Sequence, residues 1–216
     1  MFPPRWFLPY DAAFQLITAL VALAVAVYAL RGYQWVRERT LYALFLAFTL
    51  LSAALLINSI TLSYTYLVGI PFAHSSQGVS GADIGFWIYY LISILAFIIL
   101  VYAYASRLRE ASIAIASMLI MGQRVVGGSL LGVSPYLEMI LVALLVFIVL
   151  AQVVHLAVKR NWHSVMVTAC FSMVLTSHIL ILFSPTEDSV HVIGRIFELA
   201  GFLSLLAVLY GLRRGK

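Results

Sequence analysis

The stretch ASIAIASMLIMGQRVVGGSLL, residues 111–131, decides the fold, because the number of membrane crossings turns on how it is read. Small and apolar residues fill its first part, and then Gln123, Arg124 and the pair Gly127-Gly128 interrupt it. The runs on either side are clearer. Residues 11–30, 41–63, 84–105, 135–158, 163–184 and 190–212 are each apolar over about 20 residues, enough to cross a hydrocarbon core of roughly 30 Å.

The basic residues settle the weak segment. They cluster at Arg31/Arg37/Arg39, at Arg107/Arg109, at Lys159/Arg160 and at Arg213/Arg214/Lys216. Cytoplasmic loops carry the excess of Lys and Arg, and all four clusters fall on one side only if 111–131 also spans the bilayer. The sequence therefore predicts an all-α bundle of seven transmembrane helices, N-terminus outside and C-terminus inside, as one transmembrane domain over 1–216. Asp11, Asp83, Glu187 and Asp188 are expected in the outer loops, and the loop 64–83 has no Lys or Arg. Aromatic belts are expected from Trp6, Tyr10, Trp87, Tyr89 and Tyr136 outside and from Tyr33, Trp35, Tyr104, Trp162 and Tyr210 inside.

Composition agrees with a membrane protein. Of 216 residues, 64% are hydrophobic and 10% charged, against roughly half and a quarter in soluble domains. The partner expected first is the lipid bilayer of the cell membrane. The net charge of +5 sits in the loop clusters, where it orients the chain, so no nucleic acid is expected as a partner. No stretch is long or polar enough for a soluble output domain, so any output is expected to pass through a protein partner or a homo-oligomer. Cys170 is the only cysteine, which excludes an intrachain disulfide or a cysteine-based metal site and leaves it as a small buried hydrophobe. Pairs of small residues, Ala22/Ala26, Ala43/Ala47 and Gly194/Gly201, mark faces where helices can approach closely.

Function is expected where charge enters an apolar helix. His191, Arg195 and Glu198 recur at spacings of four and three, so they share one face of the last helix. Ionisable groups at membrane depth normally face a protein interior and pair there, or mark a binding or proton site. Glu138, His178, Gln123 and Arg124 stand at a similar expected depth on other helices. Together they make a candidate polar or ligand-binding cluster of His191, Arg195, Glu198, Glu138 and His178 in the outer half. A pair that merely knits helices together is the structural alternative. Gln15, Asn58, Gln152, Thr176 and Ser177 are expected to make interhelical hydrogen bonds.

The histidines allow another reading. His163 and His178 lie on one helix about 22 Å apart along its axis, and His155 and His191 flank them on its neighbours. Two b-type haems would use such an arrangement, with His155 and His163 as one set of axial ligands and His178 and His191 as the other. The leading expectation remains no cofactor and no metal. Hydrolase, zinc-protease and nucleotide motifs are absent, so no enzyme activity is expected outside a redox complex. A small-solute or proton transporter is the third reading, because intramembrane carboxylate–arginine pairs also occur there.

The topology resembles that of rhodopsins and G-protein-coupled receptors. The only lysines, Lys159 and Lys216, stand at the inner boundary, which excludes a retinal Schiff base, and Ala105-Ser106-Arg107-Leu108-Arg109 replaces Asp-Arg-Tyr. Three further stretches look like small archaeal seven-helix membrane proteins, similar in style to the membrane sensor regions ahead of histidine kinases. They are Leu8-Pro9-Tyr10-Asp11, Arg37-Glu38-Arg39-Thr40-Leu41-Tyr42 through Phe48, and Gly194 to Phe202, together roughly a third of the chain. The resemblance implies a receptor-like sensor or the membrane subunit of a larger complex, and it carries no functional residue with it.

Overall fold

A computed structural model describes residues 6–68, 81–105, 134–159, 162–183 and 188–214. They form six α-helices: α1 (Leu8–Val36), α2 (Arg39–Val68), α3 (Gly81–Ala105), α4 (Ser134–Lys159), α5 (Trp162–Phe183) and α6 (Asp188–Arg214). Each is long and apolar enough to cross a membrane. The chain is an all-helical, multi-pass integral membrane protein. The segment 111–131, with Gln123 and Arg124, lies outside the described residues.

The helices overrun the apolar runs that predicted them. Pro9 in the first turn of α1 carries no N–H to leave unsatisfied, so this helix begins at Leu8, before the apolar run. This moves Asp11 from the expected outer loop into the helix. At the other end of α1, Arg37 adopts a left-handed conformation (φ 54°, ψ 29°), and its N–H donates to the Tyr33 carbonyl at 2.7 Å. That cap stops the helix, and α2 starts two residues later.

The closest packing partners are consecutive, α1 with α2 through α5 with α6, and α6 returns to α1, so the six helices close a ring in chain order. Ser52 and Ser59 on α2 donate across to the carbonyls of Ala19 and Ala12 on α1, at 2.9 and 2.8 Å, which fixes those two helices antiparallel. α3 and α4 are parallel. Tyr90 meets Glu138 near one end of this pair and Tyr104 meets Gln152 near the other, with the same offset in residue number. All helices thus have one end near the start of α1, the proximal end, and the other at the distal end. α1, α3, α4 and α6 begin proximally, and α2 and α5 end there.

The middle of the ring is apolar. Phe48, Phe97, Phe171 and Phe202 are buried with Leu51, Leu55, Leu100 and Leu145. Phe48 and Phe202 meet edge to face, with ring centroids 6.0 Å apart. Gly194 and Gly201 let α6 approach α5 closely: a Cβ on Gly201 would lie 3.1 Å from the Cys170 carbonyl oxygen. Ala22, Ala26 and Ala47 are buried at contacts as well. The outward faces are equally apolar, with Leu20, Ile60, Leu91, Leu150 and Leu203 exposed, as surfaces that meet lipid acyl chains should be. Met166 lies on this outer surface as well.

Trp6, Tyr10, Tyr136, Trp35, Trp162 and Tyr210 are exposed near helix ends, where belts are expected. Tyr89 is not among them. It is buried, because it falls in register with Ser93, Ala96 and Leu100 on the inward stripe of α3. Tyr104 also turns inward, its ring against Phe171.

Candidate functional site

Charge collects in one layer of the bundle, one to three turns in from the proximal end. α6 supplies three residues on one face. His191, Arg195 and Glu198 are all buried, and Arg195 Nη1 donates to Glu198 Oε2 at 2.8 Å. The helical spacing of three brings these two together without help from another helix.

α1 completes the arginine's surroundings. Asp11 is fully buried and places Oδ1 2.8 Å from Arg195 Nε, while its Oδ2 lies 3.2 Å from His191 Nε2. One turn on, the Gln15 amide, oriented so that both its ends are satisfied, accepts from Arg195 Nη2 at 2.9 Å. The guanidinium therefore bridges two carboxylates and an amide, a use suited to its forked donors. Tyr89 on α3 is also drawn to Arg195. Phe7 packs its ring edge to face on His191, with centroids 6.0 Å apart, and caps the layer at the proximal end.

A second pair stands across the ring. His178 Nδ1 on α5 lies 2.6 Å from Glu138 Oε1 on α4, and both side chains are buried. Tyr90 also meets Glu138, and Phe97 packs its ring edge to face on His178. The two pairs feel each other: Glu138 lies within electrostatic range of Arg195, as does His178 of Glu198. Charged or hydrogen-bonding side chains from α1, α3, α4, α5 and α6 thus converge in one network.

The structure brings His191, Arg195, Glu198, Glu138 and His178 into this layer. Sequence reasoning missed Asp11, Tyr89 and Tyr90, while Gln15 makes the interhelical bond expected of it. Three other polar residues depart from the expected interhelical bonds. Thr176 is exposed and donates to the Ser172 carbonyl of its own helix at 2.9 Å. Asn58 Oδ1 and Ser177 Oγ are buried without a hydrogen-bond partner among the described residues. Gln152 meets Tyr104 on another helix, as expected.

His178 and His191, one of the two expected sets of haem ligands, each spend one ring nitrogen on a carboxylate. His155 is half-buried near the distal end and has a partner; His163 opens α5 at the same end. Among the described residues no group of three or more His, Cys, Asp or Glu is arranged to hold a metal ion. Cys170 is buried in the apolar middle.

No protein-family model matches this chain, and comparison with curated proteins and with solved structures finds nothing similar.

Proposed function

We propose that this membrane protein is non-enzymatic and acts as a receptor-like sensor or as the membrane subunit of a larger assembly in the cell membrane, with the proximal polar layer as its working site. The observation that carries the reading is the convergence of Asp11, Glu138, His178, His191, Arg195 and Glu198 from four helices. A lone structural pair needs only two helices. A network tying α1, α4, α5 and α6 instead couples any change in charge at one residue to the relative positions of four helices. Burying so many charges also costs stability that apolar packing would not, which argues for a use beyond holding the helices together.

The seven-crossing topology belongs to the same proposal. Because α3 and α4 run parallel, the chain leaves α3 distally and re-enters α4 proximally. Residues 106–133 have about 28 Å to cover, within the reach of one further helix. A seventh crossing also leaves every basic cluster at the distal end, which is then cytoplasmic. In a Cys170→Ser background, Gln77→Cys should label only from outside and Lys216→Cys only from inside. Labelling from the same side overturns the count.

The functional test is complementation of a deletion strain with the full chain. Arg195→Leu/Glu198→Leu should reach the membrane with native helix content and fail to complement. A folded double variant that complements as well as the natural chain assigns the layer to scaffolding and overturns the reading. The haem and transporter alternatives give separate signals, a Soret absorbance band in the purified protein and solute or proton flux in proteoliposomes.

A further inference from the structure

We infer that the distal corner between α1 and α2 binds the phosphate headgroups of anionic lipids, through Arg31, Arg37 and Arg39 with Trp35 beside them. The inference is independent of the proximal layer, which lies toward the other end of both helices.

Residues 31–39 are all described, and they hold three arginines against one acid, Glu38. Glu38 has a contact of its own, and even counted in full it leaves this stretch an excess of two positive charges. All three arginines are exposed, and none of them forms an ion pair among the described residues. The forked donors of a guanidinium match the oxygens of a phosphate, and here they are open to one.

The corner is held in shape. Arg37 caps α1 in the left-handed conformation with its N–H on the Tyr33 carbonyl, and the Leu41 N–H returns to the Glu38 carbonyl at 3.0 Å. The rings of Tyr33 and Tyr42 pack across it with centroids 5.3 Å apart. Glycine or asparagine suits a left-handed cap better than a residue with a bulky side chain. The turn does not call for arginine at 37, whereas an anion beside the turn does.

Position decides which anion. Both helices that meet here are long and apolar enough to cross a membrane, and both reach the bilayer boundary at this corner. Trp35 and Val36 are 75% and 61% exposed, and a spacing of four sets Trp35 on the face of Arg31. Arg31 lies within two turns of Arg37, and its long side chain can run along the helix toward the headgroups. An occupant must therefore offer an anion to the arginines and apolar chains to Trp35 and Val36. An anionic lipid carries both in one molecule, and free phosphate carries only the first. Basic residues beside a membrane span attract such lipids electrostatically.

The test uses the full chain in nanodiscs with equal amounts of phosphatidylglycerol and phosphatidylcholine, one of the two carrying a photoreactive headgroup. Crosslinked peptides are mapped by mass spectrometry. Residues 31–42 should crosslink to the anionic lipid at least about fivefold more than to the zwitterionic one, the factor that one arginine near a charged bilayer supplies. In Arg31→Gln/Arg37→Gln/Arg39→Gln, with native helix content, the two yields should become equal. Equal yields in the natural chain overturn the inference, and so does an excess that survives the triple variant. Inorganic phosphate in solution should leave the excess unchanged; if it abolishes the excess, the corner takes soluble anions and the lipid assignment fails. The natural-chain ratio needs no variant to fold, and neither the complementation result nor the count of crossings enters it.

Discussion

The proximal layer and the apolar middle of the bundle join the same helices by opposite means. At the proximal end, α1, α4, α5 and α6 meet through ion pairs: Arg195 with Asp11 and Glu198, and His178 with Glu138. Two turns further in, α2, α3, α5 and α6 meet through Phe48, Phe97, Phe171 and Phe202, with Gly201 letting α6 in. The void among them is about 10 Å³, room for no more than a single water, and its lining is apolar. Lipid tails are as apolar as these side chains, so the middle gains little from avoiding solvent and holds by fit. The proximal layer holds by charge, and its groups have no alternative partner in lipid. One region tolerates any residue of the right shape; the other tolerates only residues of the right charge.

The sharpest way to break the contrast is Arg195→Leu. Loss of the guanidinium leaves Asp11 and Glu198 buried without their cation, and we expect about 3–5 kcal/mol of destabilisation in an unfolding titration of the purified protein. Arg195→Leu/Glu198→Leu should cost less than the sum of the two single variants, because one charge leaves with its partner. A loss below about 1 kcal/mol for Arg195→Leu would show that the charges are solvated and that the two regions do not differ in kind.

The apolar middle should yield instead to added volume. Gly201→Ala would set a methyl 2.8 Å from Val174 Cγ2 and 3.1 Å from the Cys170 carbonyl oxygen, a backbone atom that has nowhere to go. Its expected cost is about 1–3 kcal/mol. Gly211, on the same helix, has nothing within 4 Å of its Cβ position, so Gly211→Ala should be neutral or gain up to about 1 kcal/mol. Equal effects at the two glycines would mean that α5 and α6 are not in contact at Gly201.

The smallest effect is expected between the regions, where α2 is tied to α1. Ser52→Ala or Ser59→Ala removes one hydroxyl-to-carbonyl bond, and each should cost about 0.6 kcal/mol, the average for such bonds between membrane helices. A loss several times larger would make this seam a third kind of contact.

Part of the site was legible in the sequence. Spacings of four and three put His191, Arg195 and Glu198 on one face whatever else the fold does. Asp11 reads as an outer-loop residue because it is a charge at the very first position of the apolar run 11–30, although Pro9 can open a helix earlier. A signal for it existed. Asp11 stands eleven residues before Ala22, within about 20° of the same face, and Ala22 with Ala26 marks a packing stripe. Polar residues in register with small ones point inward. Aromaticity alone puts Tyr89 in a belt, whereas its register with Ala96 turns it inward.

By itself the sequence determined the six apolar helices, the membrane as their solvent, and the glycines and alanines where neighbours approach. These are local properties, set by the length of an apolar run and by the period of the helix. Only the tertiary structure decided that the helices close a ring from α6 back to α1, that α3 and α4 run parallel, and that Arg195 belongs to Asp11 as well as to Glu198. The reason is physical. In a soluble helix the apolar stripe shows which face is buried, but in a bilayer the lipid face and the protein face are equally apolar, so hydropathy does not tell them apart. The choice of neighbours then rests on shape and on a few buried polar contacts between residues as distant in the chain as Asp11 and His191, and those contacts exist only once the helices have packed.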